Sequence, residues 1–164
     1  MDSVQVQILT GEGKIERLYN FIRQFPLDYP DYFEWLQKCK RELELGYKKA
    51  FYVTNSNGEI IGSIIFQPHK KESSVLEIKN LRIHPLHEHR GLGSVLESSV
   101  ELYAKENDFQ KIQCDVRQEN PVLFFMQKRG YRVKSKERLY GALEEIVLQK
   151  DVLRHQLENQ RPQV

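Results

Sequence analysis

Cysteine is scarce in this chain, which has only Cys39 and Cys114 and no Cys-x-x-Cys motif. Such a sequence is not a disulfide-rich secreted scaffold, and a reducing, cytoplasmic setting is expected. No apolar run approaches the ~20 residues that a membrane span needs. The opening MDSVQVQILT lacks the basic and apolar regions of a signal peptide. We therefore predict a chain that neither spans a membrane nor is exported.

An excess of charge of one sign is also lacking. The 25 Lys and Arg residues against 23 Asp and Glu leave a net charge of +2, too little to indicate a nucleic-acid or anionic-membrane partner. Hydrophobic residues make up 40% of the 164, and a chain of this length buries roughly two-thirds of its unfolded surface. We expect one globular domain over residues 1–148, followed by a polar tail or short helix over 149–164.

The first half of the chain has the pattern of an edge strand, two helices and three antiparallel strands. The second helix begins near Tyr32 and ends before Gly46, a residue type that terminates helices. The Asn57-Gly58 dipeptide is typical of a tight hairpin turn. The strands are predicted at 4–9, 49–54, 59–66 and 75–83, and the first helix at 13–24.

The second half alternates between helices and strands. A long helix follows Gly91, and a short one begins at Asn120-Pro121, where Asn caps and Pro opens a helix. Strands are predicted at 110–117, 131–133 and 139–148. Since strand–helix–strand units form right-handed parallel crossovers, the pattern predicts an α/β fold of the mixed α+β type. Its sheet would be mostly antiparallel, with six or seven strands and helices on both faces.

The most informative segment, residues 88–94 (Glu-His-Arg-Gly-Leu-Gly-Ser), joins a strand to the long helix. Gly91 and Gly93 allow a tight bend and a close backbone approach to a ligand. The unpaired N–H groups of the helix start, with Arg90 beside them, would suit a pyrophosphate. The alternative is a tight turn whose glycines only pack against the sheet. A nucleotide-hydrolysing loop and a dinucleotide fold are both disfavoured, because the required glycine spacing and strand position are absent.

Three motifs in fixed order resemble the GNAT superfamily of acyl-CoA-dependent N-acyltransferases. They are Leu81-Arg82-Ile83-His84-Pro85, Glu88-x-x-Gly91-x-Gly93 and Asn120-x-x-Leu123-x-x-Met126-x-x-x-Gly130-Tyr131. The order of the predicted strands agrees as well, so the resemblance covers about residues 1–148. It implies a GNAT-like fold in which strands four and five splay apart.

The resemblance also implies a donor site for acetyl-CoA. The pantetheine and acyl group would contact Leu81, Arg82 and Ile83, and Asn120 would contact the pantetheine arm. The pyrophosphate would be held by His89, Arg90, Gly91, Leu92, Gly93 and Ser94. A backbone N–H near Ile83 would stabilise the oxyanion that develops when an amine attacks the thioester directly.

Two positions depart from the family pattern. Glu88 stands where the family has Gln or Arg, so we expect its carboxylate to point away from a bound pyrophosphate. Met126 stands where many members have the Tyr that protonates the departing thiolate, and Met has no proton to give. Tyr103, Tyr140 or water could replace this acid.

Glu77 is the first choice for the general base. Some family members carry a general-base Glu at this position of strand four. A period of two places Glu77, Lys79, Leu81 and Ile83 on one face of that strand. The alternative is a solvated strand residue paired with Lys79 or a cross-strand lysine.

The acceptor is expected to be a primary amine on a small molecule or peptide. Asp28, Tyr29 and Tyr32 combine acidic and aromatic groups that suit a cationic amine. The alternative is that an aspartate (Asp28 or Asp31) caps a helix, while Tyr32 packs in the core with Trp35.

No metal is expected. His84, His87 and His89 cluster in one loop but lack the further ligands of a metal site, and Cys114 has no His placed to activate it.

The sequence thus predicts an acetyl-CoA-dependent N-acetyltransferase, with a possible homodimer. The alternative is an acyl-CoA-binding sensor or regulatory module with little or no catalysis.

Overall fold

The computed structural model describes residues 5–8, 12–26, 30–138 and 144–152. Its strands are β1 (Gln5–Ile8), β2 (Lys49–Thr54), β3 (Ile60–Pro68), β4 (Val75–Ile83), β5 (Lys111–Arg117), β6 (Arg132–Glu137) and β7 (Glu145–Asp151). Its helices are α1 (Glu12–Arg23), α2 (Tyr32–Glu44), α3 (Leu92–Glu106) and α4 (Val122–Lys128), with a short 3₁₀ helix at Pro85–His87.

The seven strands form one mixed sheet in the order β1-β2-β3-β4-β5-β7-β6. Among the described strands, only the β4–β5 pair is parallel, and every other neighbouring pair is antiparallel. The parallel pair is connected by α3, as the strand–helix–strand pattern predicts. The mostly antiparallel sheet with helices on both faces is therefore confirmed.

The helices divide between the two faces of the sheet because each has one apolar stripe to bury. On one face, α1 and α2 pack on Ala50 of β2 and Ile65 of β3, with Leu18, Ile22 and Leu36 completely or almost completely buried. On the other face lies the larger core. Its helical members come mainly from α3 and α4, and they include Leu92, Leu96, Val100, Leu123 and Met126.

The β2–β3 hairpin forms at the predicted Asn-Gly turn. The Asn55 side-chain Oδ1 accepts hydrogen bonds from the backbone N–H groups of Asn57 and Glu59, at 3.0 and 2.9 Å. Gly58 has a φ of 78°, a left-handed value that glycine adopts without strain. The local turn chemistry thus sets the register of the strands that lead to the site.

The parallel pairing of β4 with β5 stops halfway along β4. Pairs run from Val75 with Lys111 to Ile78 with Cys114, and none follows. Beyond that point β4 stays paired with β3 as far as Ile83, and β5 stays paired with β7. A gap therefore opens in the middle of the sheet while each of its walls remains held by a neighbour.

A bulge in β4 overturns the predicted sharing of one face by Glu77, Lys79, Leu81 and Ile83. Phe66 pairs with Ile78 and Ile65 with Asn80, so Lys79 is an extra residue. An extra residue reverses the alternation of side chains beyond it. Leu81 and Ile83 consequently pack against the α3 core, as Ile78 does, whereas Glu77 lies on the α2 face.

The chain after β6 differs in detail from its prediction. The last described strand, β7, runs from Glu145 to Asp151, three residues beyond the predicted end at 148. Residues 139–143, including Tyr140, and residues 153–164 of the predicted tail lie outside the described residues. Within the described ranges, no helix is both long and apolar enough to cross a membrane.

A buried carboxylate ties α3 to the far end of the sheet. Glu97 of α3 has 0% exposure and accepts hydrogen bonds from Arg129 Nη2 at 2.6 Å and Tyr131 Oη at 3.0 Å. Lys150 Nζ of β7 lies 3.3 Å from the same carboxylate. Desolvation raises the pKa of Glu97, so its charge depends on these cationic partners.

We predict that Glu97→Gln lowers the free energy of unfolding by roughly 2 kcal/mol, because it removes the fully buried one of the two carboxylates that Arg129 and Lys150 share. Glu101 still pairs with these cations at 3.4 and 2.9 Å. Urea denaturation at pH 7 would measure the change. The exposed Glu106, near the end of the same helix, provides the control, and Glu106→Gln should stay within about 0.5 kcal/mol of wild type. Equal stabilities of the two variants would contradict a structural role for the carboxylate.

Candidate functional site

A cleft opens where β4 and β5 separate. One wall comes from β4, one from β5, and the start of α2 and the α4 segment close its sides. The lining residues are Pro30, Tyr32, Trp35, Ile78, Lys79, Asn80, Leu81, Arg82, Cys114, Asp115, Val116, Asn120, Val122 and Met126. The cleft is thus apolar toward α4 and polar toward α2.

The backbone of β4 presents hydrogen-bonding groups to this cleft. The N–H of His84 donates to the Ile61 carbonyl of β3 at 2.8 Å. Because N–H directions alternate along an extended strand, the N–H groups of Leu81 and Ile83 point to the opposite edge, where β5 has moved away. An extended ligand could pair with this edge as an added strand would.

The glycine loop lies at the start of α3. Gly91 has φ 79° and ψ 8° and is the residue before the first helical one, and the first helical bond runs from Val95 N–H to the Gly91 carbonyl. The N–H groups of Leu92, Gly93 and Ser94 therefore precede any helical acceptor. Together with the helix dipole they form a setting that could hold a diphosphate.

Gly91 and Gly93 of the loop are each constrained to glycine, but for different structural reasons. At Gly91 an added Cβ would meet no atom within 4 Å, so the positive φ is the constraint. At Gly93 an added Cβ would lie 3.2 Å from the Phe125 ring of α4, so close helix packing is the constraint. Leu92 has its side chain buried in the core and offers the loop only its backbone.

The charged side chains of the loop are exposed. Arg90 lies with its Nη1 3.5 Å from His87 Nδ1, and His89 has a φ of 62°. Glu88 is exposed as well, and the direction of its carboxylate relative to a bound pyrophosphate stays a prediction. Ser94 borders a shallow depression along α3 that is separate from the cleft.

Asn120 lines the cleft and also starts α4. Its side-chain Oδ1 accepts a hydrogen bond from the Val122 N–H at 3.0 Å, as the predicted cap requires. The amide nitrogen of the same side chain does not take part in this cap, so it could donate hydrogen bonds to a ligand.

Of the three β4 residues predicted to contact the donor, Leu81 and Arg82 line the cleft. Ile83 does not, because its side chain packs under α3, where its Cδ1 would lie 3.0 Å from a Cβ on Gly62. Its backbone still faces the gap between the strands, and a contact through that backbone is what the resemblance implied.

Tyr32 and Trp35 both pack in the core and line the cleft. Their rings are stacked with centroids 5.8 Å apart, and Tyr32 is 5% exposed. The two alternatives for these aromatics are therefore not exclusive. Asp31, before α2, makes no side-chain cap. Asp28 and Tyr29 lie outside the described residues.

Glu77 belongs to a polar network on the α2 face and is not among the lining residues. Its Oε1 accepts from Gln67 Nε2 at 3.3 Å and lies 3.3 Å from Lys79 Nζ. Gln67 in turn accepts from Lys48, and Lys48 pairs with Glu42 of α2 at 3.0 Å. Glu77 is thus next to the cleft but held by its neighbours.

Between α2 and β4 lies a set of buried polar atoms that have no hydrogen-bond partner among the described residues. It contains the Tyr32 hydroxyl, Ser63 Oγ, Asn80 Oδ1, and Nε and Nη2 of Arg82. Burial raises the pKa of Tyr32, and the neighbouring Arg82 and Asn80 side chains act against this rise. These groups are adjacent, and Tyr32, Asn80 and Arg82 all face the cleft.

No described side chain stands where a proton donor to the thiolate would be expected. Met126 lines the cleft at 1% exposure. Tyr103, the proposed replacement, is not in the cleft: its ring packs between Phe66 and Phe109, at 5.0 and 6.4 Å. Cys114 does line the cleft, but burial raises the pKa of its thiol, which disfavours a nucleophilic thiolate.

Two of the clustered histidines make contacts within the loop before α3. His84 Nδ1 accepts the Leu86 N–H at 3.1 Å, and its ring contacts those of Phe25 and His87 at 5.3 and 5.6 Å. Across the described ranges, no three or more metal-ligating side chains come together.

Asn80 and Asp115 are cleft residues that the sequence analysis missed. A period of two along β5 places Gln113, Asp115 and Arg117 on the face opposite the apolar Ile112, Cys114 and Val116, so Asp115 could have been found. Asn80 could not, because the bulge at Lys79 has no clear sequence signal.

The comparisons with known proteins agree with this geometry. The family profile described as the Acetyltransferase (GNAT) family matches residues 15–131, a span that includes the glycine loop and both cleft walls. The sequence matches none of the curated proteins to which it was compared.

Solved structures share the fold at low identity. A GNAT-family protein from Desulfovibrio desulfuricans has a TM-score of 0.79 and 12% identity, covering 92% of this chain and 100% of that one. The ribosomal-protein-S18-alanine N-acetyltransferase from Escherichia coli gives 0.68 and 16%, with 90% and 94% covered. NAA60 from Arabidopsis thaliana, solved with a bisubstrate analogue, gives 0.70 and 15%, with 91% and 98% covered. Because the family profile covers more than half of the chain, the chain belongs to the GNAT family of acetyltransferases.

Proposed function

We propose that this protein transfers the acetyl group of acetyl-CoA to a primary amine. The observation that carries the proposal is the loss of β4–β5 pairing beyond Ile78 and Cys114, in a sheet whose β4–α3 connection bears the glycine loop. A diphosphate seat and an open strand edge in one chain segment match the pyrophosphate and the pantetheine arm of a coenzyme A molecule.

The donor would be bound mainly by backbone. The N–H groups at the start of α3 would take the pyrophosphate, and the edge of β4 at Leu81 and Ile83 would pair with the pantetheine amides. Asn120 would add a side-chain amide to the pantetheine arm. The apolar cleft residues Val122 and Met126 would surround the chain near the thioester.

The chemistry would be a direct attack within a ternary complex. The amine nitrogen bonds to the thioester carbonyl carbon, and the C–S bond then breaks to release the coenzyme A thiolate. A backbone N–H near Ile83, which points into the gap, would stabilise the oxyanion of the intermediate. The cleft would thus orient both reactants without a covalent acyl-enzyme.

The attacking amine must be neutral. An amine with a pKa of ~10.4 is neutral in about one molecule in a few thousand at pH 7, so deprotonation costs ~4–5 kcal/mol. We propose Glu77 as the base, acting through water, because its carboxylate adjoins the cleft without lining it. Asp115, which does line the cleft, is the second carboxylate that could serve.

Departure of the thiolate does not require a dedicated acid. Thiols have a pKa of ~8.5 and leave readily as anions, so we propose that water protonates the product at the Met126 site.

A cytoplasmic location and a homodimer remain predictions that accompany this function.

The proposal is tested by mixing the protein with acetyl-CoA and pools of amines, then following free-thiol release and thermal stabilisation. Amine-dependent thiol release is the expected result. Stabilisation by coenzyme A without any release would instead support a sensor or regulatory module.

We predict that Arg90→Ala weakens acetyl-CoA through the pyrophosphate alone. Loss of one charge-assisted contact should raise the Kd for coenzyme A about 10-fold, while kcat/KM with S-acetylpantetheine, which has no phosphate, should not change. Calorimetry and initial rates would measure the two effects. Arg41 on α2 is exposed and distant in sequence, so Arg41→Ala serves as the matched control. If Arg90→Ala lowered kcat/KM equally with acetyl-CoA and with S-acetylpantetheine, this role for Arg90 would be contradicted.

We also predict that Glu77→Gln lowers kcat by ~10²–10⁴ and leaves the Kd for coenzyme A nearly unchanged. The neutral side chain keeps its hydrogen-bonding shape but cannot take a proton. Asp115→Asn is the companion variant, and we expect the smaller loss from it. A large loss in Asp115→Asn with wild-type turnover in Glu77→Gln would move the base to β5.

A further inference from the structure

We infer that the acceptor carries a carboxylate close to its amine, as an amino acid does, and that Arg82 binds this carboxylate. The inference rests on the proposed function, because it names the substrate class of that same cleft. It is carried by an unpartnered guanidinium edge within a buried polar cluster.

The first observation is the chemistry of Arg82. Among the described residues, no acceptor lies within hydrogen-bond distance of its buried Nε and Nη2, and none forms an ion pair with Arg82. The Tyr32 hydroxyl is its polar neighbour. Nε and Nη2 are the two nitrogens of one edge of the guanidinium, the edge that meets both oxygens of a carboxylate in a bidentate pair. A half-buried guanidinium whose edge meets no described counter-charge is unfavourable, so the edge suits an anionic ligand.

The second observation is the surroundings of this edge. Asn80 is 6% exposed and Tyr32 is 5% exposed. Both side chains adjoin the guanidinium, where Arg82 and Asn80 flank the Tyr32 hydroxyl, and no described group lies within hydrogen-bond distance of Asn80 Oδ1. This combination can bind a zwitterion. The guanidinium and the hydroxyl can donate hydrogen bonds to a carboxylate, and the amide oxygen can accept one from an ammonium or amine group. Native proteins leave few buried polar atoms unsatisfied, so their concentration here indicates a ligand site.

The third observation limits the size of the acceptor. Arg82 directly follows Leu81, whose backbone faces the gap in which the thioester would lie. Since both residues line one cleft, a carboxylate bound to Arg82 would share that cleft with a thioester beside Leu81. This favours a carboxylate on or near the carbon that bears the amine, and it disfavours a long peptide that ends in a remote carboxylate.

The experiment compares amino acids with their decarboxylated amines: alanine with ethylamine, phenylalanine with 2-phenylethylamine, and lysine with cadaverine. For the wild type we expect kcat/KM to favour the carboxylated member by at least ~10-fold. In Arg82→Gln this ratio should fall to near the value set by amine basicity alone. Arg82→Lys keeps the charge but not the bidentate edge, and it should recover only part of the preference.

Controls separate this inference from the proposed function. Arg82 would contact the donor only through its backbone, so the Kd for coenzyme A should be unchanged in Arg82→Gln. Arg23→Gln, at the exposed end of α1, should behave as wild type throughout. Because Arg82 pairs with no described acidic side chain, the apo Tm of Arg82→Gln should be no lower than that of wild type. Calorimetry of each amino acid and amine on the coenzyme A complex gives a readout that does not need turnover.

The outcomes are distinct. Preferential binding of carboxylated ligands without thiol release would support the Arg82 site and refute the transferase. Thiol release with equal kcat/KM for both members of each pair would refute the Arg82 site and retain the transferase. A carboxylate preference that persists unchanged in Arg82→Gln, or absence of both binding and turnover with every amino acid, would also overturn the inference.

Discussion

The early end of the β4–β5 pairing is the constraint on which the site depends. Parallel pairing is the weaker kind per residue, and among the described strands β4–β5 is the only parallel pair. Both strands keep their second neighbours, β3 and β7, over the unpaired stretch. The sheet can therefore open at this point without loss of either wall, and the exposed backbone edge becomes available to a ligand.

Helix α3 sets the distance between the two ends of the proposed donor site. It starts at the glycine loop, packs closely on β3 at Gly62 and is fixed to Arg129 and Lys150 through Glu97. The loop cannot shift along the sheet without disturbing these contacts. A rigid core element thus carries the anion seat, which is how a backbone site keeps its geometry.

The sequence was sufficient for the features that depend on local chemistry. The Asn57-Gly58 turn, the Asn120 cap and the Gly91 helix start each follow from the conformations that these residues favour, and the alternation of elements predicted the mixed, mostly antiparallel sheet around them. The faces of β4 could not be predicted, since a bulge depends on how two strands meet and leaves no mark in the residues. This is why Leu81 and Ile83 were placed beside Glu77, and why Asn80 was missed.

The same bulge explains how one strand can serve two reactants. Before Lys79, β4 presents Ile78 to the α3 core; after it, Leu81 keeps to that apolar side while Asn80 and Arg82 face α2. Without the extra residue, Arg82 would take the place of Leu81, and the charged cluster would face the core. A donor chain in the gap can then meet apolar groups from one face, and an acceptor can meet polar groups from the other. The division of the cleft into an apolar and a polar side is therefore a consequence of one inserted residue in β4 rather than of the helices that surround it.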